Sequence, residues 1–240
     1  MYEPRFYRQW SKKNDLISSH VIVKQTDLHI QARCDLRDKA TKAILKYRSS
    51  IERYILQHPL FVTTLKPYPV EGNEPVIIKE MIEASALVGV GPMAAVAGAI
   101  AEAVGRDLLS FSPDIIVENG GDIFLKITKK RMIGIYAGES PFTGKIALEI
   151  KPQETPIGIC TSSATVGHSL SLGSADAVVV LSHSTLFADA AATAIGNLIH
   201  DSEDIPEAIE QAQAMNDLYG IVIIKDDKIG FWGKIKIHSR

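Results

Sequence analysis

The chain has 240 residues, 46% hydrophobic and 22% charged, the balance of a globular protein that can bury a continuous core. A formal net charge of −2 with scattered lysine and arginine excludes the basic stripe that follows nucleic-acid phosphates, and the triplet Lys129, Lys130 and Arg131 reads as a solvated hairpin turn. Two cysteines, Cys34 and Cys160, exclude a disulfide scaffold or metal knuckle and point to a reducing cytoplasm.

The first residues, MYEPRFYRQWSKKND, lack the apolar run and small-residue cleavage site of an export signal, so a cytoplasmic protein is expected. Residues 20–24 and 28–32, separated by Gln25, Thr26 and Asp27, read as an edge hairpin. Residues 37–57 carry helical spacing through Ala40, Ile44, Tyr47, Ile51 and Ile55. Pro59, Pro67, Pro69 and Pro75 then mark an extended connector. Two helices follow, at 76–87 and 92–104, joined at Gly89-Val-Gly-Pro92. The uncharged stretch 84–101 approaches the length of a spanning helix, but this break would strand backbone groups that lipid cannot satisfy, so no membrane span is expected. The second helix is mostly Ala, Val and Gly and suits close packing in its own domain or against a second subunit; a homodimer is expected only because twofold assemblies are common.

From Asp114 the pattern changes to strands, at 115–118, 123–127, 132–137, 145–150 and 177–181. Helices are expected at 187–199 and 205–215, and a closing hairpin at 220–224 and 228–232, turning on Asp226-Asp227. No repeat or long linker interrupts the chain, so residues 1–240 are expected to form one α+β domain with mixed or antiparallel sheets covered by helices.

Three polar segments can carry chemistry. The first is Glu118-Asn-Gly-Gly-Asp122. Its paired glycines let backbone N–H groups approach an anion, while Asn119 and Asp122 orient hydroxyls or hold the turn; the same residues also spell an ordinary hairpin turn. The second is Cys160-Thr-Ser-Ser-Ala-Thr-Val-Gly-His168-Ser-Leu-Ser-Leu-Gly173. It is either a phosphate-binding loop, with His168 as acid, base or donor, or a Ser/Thr-rich turn with a satisfied histidine. Cys160 carries no signature of a lowered thiol pKa and reads as an inert, buried residue rather than a nucleophile. The third is Asp189-Ala-Ala-Ala-Thr193, whose spacing puts a carboxylate and a hydroxyl one turn apart on one helix face. Two such hard oxygens suit magnesium; the alternative is Asp189 as a helix N-cap.

In this order the three segments resemble the C-terminal core of the ApbE-like superfamily, whose known enzymes are FAD:protein FMN transferases. Asn119-Gly120-Gly121-Asp122 is similar to the family's Asn-x-Gly-Gly-Asp turn without its spacer residue, Thr161-Ser162-Ser163 to its Thr-Ser-Gly strand end, and Asp189-Ala-Ala-Ala-Thr193 to its Asp-Ala-x-Ala-Thr helix start. The chain is more similar to the short soluble branch of that superfamily, in which GPMAAVAGAIAE, ENGGDI, TSS-x-TVGHS and ADA-x-ATAI occur together, and the motif-bearing core covers about residues 89–200. The resemblance implies an ApbE-like fold, FAD or FMN as the bound nucleotide, Asp189 and Thr193 as ligands of a magnesium ion on its phosphates, the diphosphate in the case of FAD, and Asn119, Gly120, Gly121, Thr161, Ser162 and Ser163 against that nucleotide. His168 and Asp122 are the implied catalytic candidates. Two departures stand out. The family's Lys/Glu-Gly-x-Ala-x-Asp helix is replaced by Gly91-Pro-Met-Ala-Ala-Val-Ala97, which has no aspartate, and its His-x-x-Asp-Pro-x-Thr-Gly is shortened to His168-Ser-Leu-Ser-Leu-Gly173. They leave open a magnesium-dependent flavin transferase, an accessory protein that keeps the fold beside a partner enzyme of sulfur assimilation toward homocysteine, and a structural or oligomer-forming role.

Overall fold

A computed structural model describes residues 15–166 and 170–239. The chain opens with the antiparallel hairpin β1 (Ile17–Val23) and β2 (Thr26–Ala32), turning on Lys24, which takes a positive φ of 54°. Helix α1 (Arg37–Gln57) has the predicted bounds and buries Ala40, Ala43, Ile44, Ile51 and Tyr54; each large apolar side chain so buried stabilises by about 1.5–3 kcal/mol. The short α2 (Leu60–Thr63) tucks Phe61 edge-on against Tyr54 and Tyr68, which anchors the proline-rich connector.

Helix α3 (Val76–Ala86) ends before Gly89, which takes a positive φ of 75°, and a 3-10 turn at Pro92–Ala95 leads into α4 (Val96–Leu108). The Ala/Gly-rich face of α4 packs inside its own domain, on strands β3 (Ile115–Asn119) and β4 (Asp122–Lys126). Gly105 makes that approach possible, because a Cβ there would lie 2.2 Å from the Phe124 ring.

Next come β5 (Arg131–Gly134), β6 (Ile146–Ile150), β7 (Ile157–Ser162), β8 (Ala177–Ser182), α5 (Thr185–Gly196), α6 (Ile205–Gln213), β9 (Gly220–Lys225), β10 (Lys228–Gly233) and β11 (Ile237–Ser239). Eight strands form one antiparallel sheet, β1-β2-β3-β4-β7-β8-β9-β10; a second sheet has the order β11-β6-β5. Helices cover one face of the large sheet over a core that includes Ile44, Ile78, Val104, Phe124 and Ile195. On the other face, the small sheet closes a second core of Leu125, Leu148, Ile159, Val179 and Val222. The α+β class holds, with both sheets antiparallel and helices on one side of the large one.

Three local expectations change. Lys129 to Arg131 is not a hairpin turn, because β4 and β5 belong to different sheets; the triplet carries the chain between them, with Arg131 2.7 Å from Asp15 and Lys130 3.2 Å from the buried Glu149. Strand β7 runs three residues, 160–162, into the segment that hydroxyl residues had marked as loop, and β11 carries no alternation long enough to read. Helix α5 begins two residues earlier than expected, since Ser184 caps it by accepting the Phe187 N–H at 3.2 Å.

Candidate functional site

Because neighbours along the large sheet run antiparallel, the turns β1–β2, β3–β4 and β9–β10 and the long β7–β8 connection all fall at one end of it. A cleft of about 1730 Å³ opens there and reaches between the two sheets. Residues 119–122, 161–163, Asp189 and Thr193, more than seventy positions apart at the extremes, all line it. His168 lies outside the described residues.

The Asn-Gly-Gly-Asp segment is the hairpin turn its sequence allowed. Asn119 and Asp122 pair directly across a two-residue hairpin whose glycines have φ of 70° and 110°, values that side chains rarely tolerate. The turn also forms a wall of the cleft. One expectation is corrected: the Gly121 N–H is not open to an anion, since it donates to Glu118 Oε1 at 3.1 Å. Asn119 Nδ2 donates to the Ala97 carbonyl at 3.1 Å, which ties the turn to the start of α4. Asp122 Oδ1 accepts the Thr161 N–H at 3.3 Å and so joins the first segment to the second.

Within the hydroxyl segment, Thr161 and Ser162 end β7, and Ser163 begins a turn in which its Oγ accepts the N–H groups of Thr165 and Val166 at 3.2 and 3.0 Å. Cys160 points the other way. It is fully buried, donates to the Thr185 carbonyl at 3.3 Å, and burial first, then the charges of Asp122 and Asp189, push its thiol well above the ordinary range. Iodoacetamide is therefore expected to modify the exposed Cys34 in the native protein and to reach Cys160 only after denaturation. Mass-spectrometric mapping of native alkylation checks this, and rapid labelling of Cys160 would refute it.

Asp189 is the fifth residue of α5, so it does not cap its own helix. It serves a neighbour instead: Oδ2 accepts the Gly98 N–H in the first turn of α4 at 2.8 Å. Gly98 permits this crossing, since a Cβ there would sit 2.5 Å from the Thr185 carbonyl oxygen and 2.9 Å from Asp189 Cβ. The contact is reciprocated. Glu102 on α4, only 6% exposed, accepts the Thr185 N–H at 2.6 Å at the first turn of α5 and pairs with Arg106 at 2.5 Å. The helix that lacks an aspartate in residues 91–97 thus carries a buried carboxylate four positions after Gly98. Its signal was the Gly-x-x-x-Glu spacing, hidden in a run of alanines.

Burial, then the charge of Asp122, hold the Asp189 carboxyl well above the ordinary carboxylate range, against the lowering effect of N–H donors at Gly98 and Ala97. Asp189, one helical turn from Thr193, and Asp122 line the cleft together, and with Asp189 ionised they offer hard oxygens to a cation. Among the described residues no three His, Cys, Asp or Glu side chains converge as a metal cage. That donor set fits magnesium, which keeps water and substrate phosphate in its shell, better than a protein-enclosed zinc. Among the described residues the lysines that line the cleft are already engaged, Lys24 with Glu52 at 2.6 Å and Lys225 with Asp226 at 3.1 Å.

The family model described as AbpE bacteria matches residues 8–225. The chain is 43% identical to the UPF0280 protein MJ1526 of Methanocaldococcus jannaschii over 94% of its own length and 92% of the relative's. It is 37% identical to a UPF0280 protein of Methanococcus aeolicus over 92% and 91% of the two chains. Among solved structures it resembles the apo form of the flavinyl transferase ApbE of Pseudomonas stutzeri, with a TM-score of 0.60, 12% identity, and 90% and 93% of the chains covered. The ApbE protein of Thermotoga maritima gives a TM-score of 0.54 at 13% identity, with 90% and 96% covered. At such identities these structures establish the fold. No helix among the described residues is long and apolar enough to cross a membrane.

Proposed function

The chain belongs to the AbpE bacteria family, and on that footing we propose that its cleft binds the diphosphate of a flavin nucleotide with magnesium and that the protein acts as an FMN transferase. The observation that carries this reading is the convergence of residues 119–122, residues 161–163, Asp189 and Thr193 on one cleft. A polar floor meets an apolar slot walled by Ile123, Ile159 and Val179 of the large sheet and by Ile133, Ile135 and Leu148 on the side of the small one. Such a division suits a flat apolar ring carrying a polyanionic tail. The name of the Pseudomonas stutzeri protein, a flavinyl transferase, favours a flavin over other nucleotides.

Electrostatics supply the case for the metal. A diphosphate beside the charged Asp122 would be repelled, the more so once Asp189 ionises, and the lining lysines among the described residues, Lys24 and Lys225, are both already paired. Asp189 and Thr193 would hold magnesium, which when bound neutralises the diphosphate and eases phosphoryl transfer. Asp122, fixed by the Thr161 N–H, aligns the floor of the site, and the hydroxyls of Thr161, Ser162 and Ser163 donate to phosphate oxygens. His168 serves as the proton acceptor from an attacking hydroxyl, a role resting on sequence resemblance. A sulfur relay through Cys160 finds no support, because that thiol is closed off from the cleft.

Fluorescence titration of the purified protein with FAD and with FMN, in magnesium and in chelator, tests the reading. Saturable micromolar binding that requires magnesium is expected. Absence of saturable binding by either nucleotide at micromolar concentration rejects it.

A further inference from the structure

Asp176 lies just before β8, 7% exposed, and both of its carboxylate oxygens are engaged by separate elements of the cleft rim. Oδ1 accepts the Thr165 hydroxyl at 3.2 Å; Oδ2 accepts the Asp226 N–H at 2.6 Å. Its own N–H donates to the Ile224 carbonyl at 3.0 Å. Asp226 is in the left-handed region, with φ of 54°, where a non-glycine residue needs outside support. Support comes from both sides, because its carbonyl accepts the Ser140 hydroxyl at 2.8 Å. Thr165 in turn faces Gly138, where a Cβ would sit 2.9 Å from its Oγ1. The Asp176 carboxylate therefore joins residues 163–166 to the β9–β10 turn, the segment around Gly138 and Ser140 packs on both of its partners, and all three segments line the cleft.

A carboxylate on the rim of a site for a diphosphate is unfavourable unless its charge serves the protein. Here each oxygen takes a donor, so it acts through its partners. We propose that Asp176 is a positioning residue of the nucleotide site: by tethering Thr165 and the Asp226 backbone it sets the turn that starts at Ser163, and so fixes where that hydroxyl meets the ligand. The proposal rests on the nucleotide reading above. It also makes a chemical distinction. Asparagine can offer its oxygen to the Asp226 N–H and its amide to the Thr165 hydroxyl, which then accepts, so both tethers survive without charge; alanine keeps neither.

The test compares wild type, Asp176→Asn and Asp176→Ala in FAD affinity with magnesium, in amide hydrogen exchange and in Tm. Asp176→Ala is expected to weaken FAD binding by roughly tenfold, the usual scale for a group that orients a binding residue, and to speed exchange locally at residues 163–166 and 226. Asp176→Asn should restore both. The role is overturned if Asp176→Ala binds and exchanges like wild type, if Asp176→Asn is equally impaired, or if exchange rises along the whole chain with falling Tm. Wild-type protein that binds neither FAD nor FMN overturns the nucleotide reading and this role together, whereas wild-type binding with an unaffected alanine variant overturns only the role of Asp176.

Discussion

Asparagine in place of Asp189 is expected to raise the Tm of the metal-free protein by roughly 2–4 °C at mildly alkaline pH, the scale of one relieved functional-site strain. The same change should weaken magnesium-dependent FAD binding by about 100-fold or more, since several kcal/mol of charge stabilisation leaves with the metal. The first effect follows from linkage. Burial and then the charge of Asp122 raise this carboxyl, so the folded protein keeps a proton there that the unfolded chain has already released. Folded protein therefore binds more protons between the ordinary and the raised pKa, and stability declines as pH rises through the raised value. Asparagine has nothing to ionise, yet its oxygen still accepts the Gly98 N–H. Its advantage should accordingly vanish in acid and be largest in alkali. Magnesium reverses the order, because Asp189 can then ionise onto a cation that also offsets the charge of Asp122, and the wild type alone gains. Calorimetry in chelator and in magnesium across pH reads both effects. A variant less stable than wild type throughout, or one that keeps magnesium-dependent binding, contradicts the assignment of Asp189.

Alanine at Gly98 should cost about 1–3 kcal/mol of stability, the range for overpacking a filled interior, and should also impair nucleotide binding. The added methyl would lie 2.5 Å from the Thr185 carbonyl oxygen, a backbone atom that cannot rotate aside. Retreat of α5 is blocked behind, where Gly158 of β7 is so close that a Cβ there would sit 2.5 Å from Thr185 Cα. Helix α5 is thus wedged between two glycines at its first turn. Displacement breaks the Gly98 to Asp189 and Thr185 to Glu102 hydrogen bonds together and moves Asp189 relative to Asp122. Urea unfolding and FAD titration of Gly98→Ala measure the two consequences, and a variant that keeps wild-type values in both would show that the helices can slide.

Much of this architecture was legible in residue order because its signals are local. The bounds of α1 follow from apolar spacing, and the β1–β2, β3–β4 and β9–β10 hairpins from short polar or glycine turns between runs of strand-forming residues. Strand β7 was hidden because its last residues, Thr161 and Ser162, belong to the cleft, so hydroxyls replaced the apolar alternation that marks a strand. Lys129 to Arg131 misled in a different way: charge and turn composition report exposure, which Lys129 and Lys130 do have, but not which strands the turn joins, and here it links two sheets.

By itself the sequence determined which segments are polar where an apolar core would be expected, and their order supplied the family likeness. The likeness implied that those segments share one site, and tertiary structure decided how they reach one cleft. It did so through the order of an antiparallel sheet, which pairs strands as distant as β4 and β7 and gathers their turns at a single end. It alone also decided the second partners of Asp189, Glu102 and Asp176. A carboxylate's role depends on which N–H groups and charges face it, and here those donors come from Gly98, Thr185 and Asp226, each fifty or more residues away. Periodicity carries no information at that range; packing does.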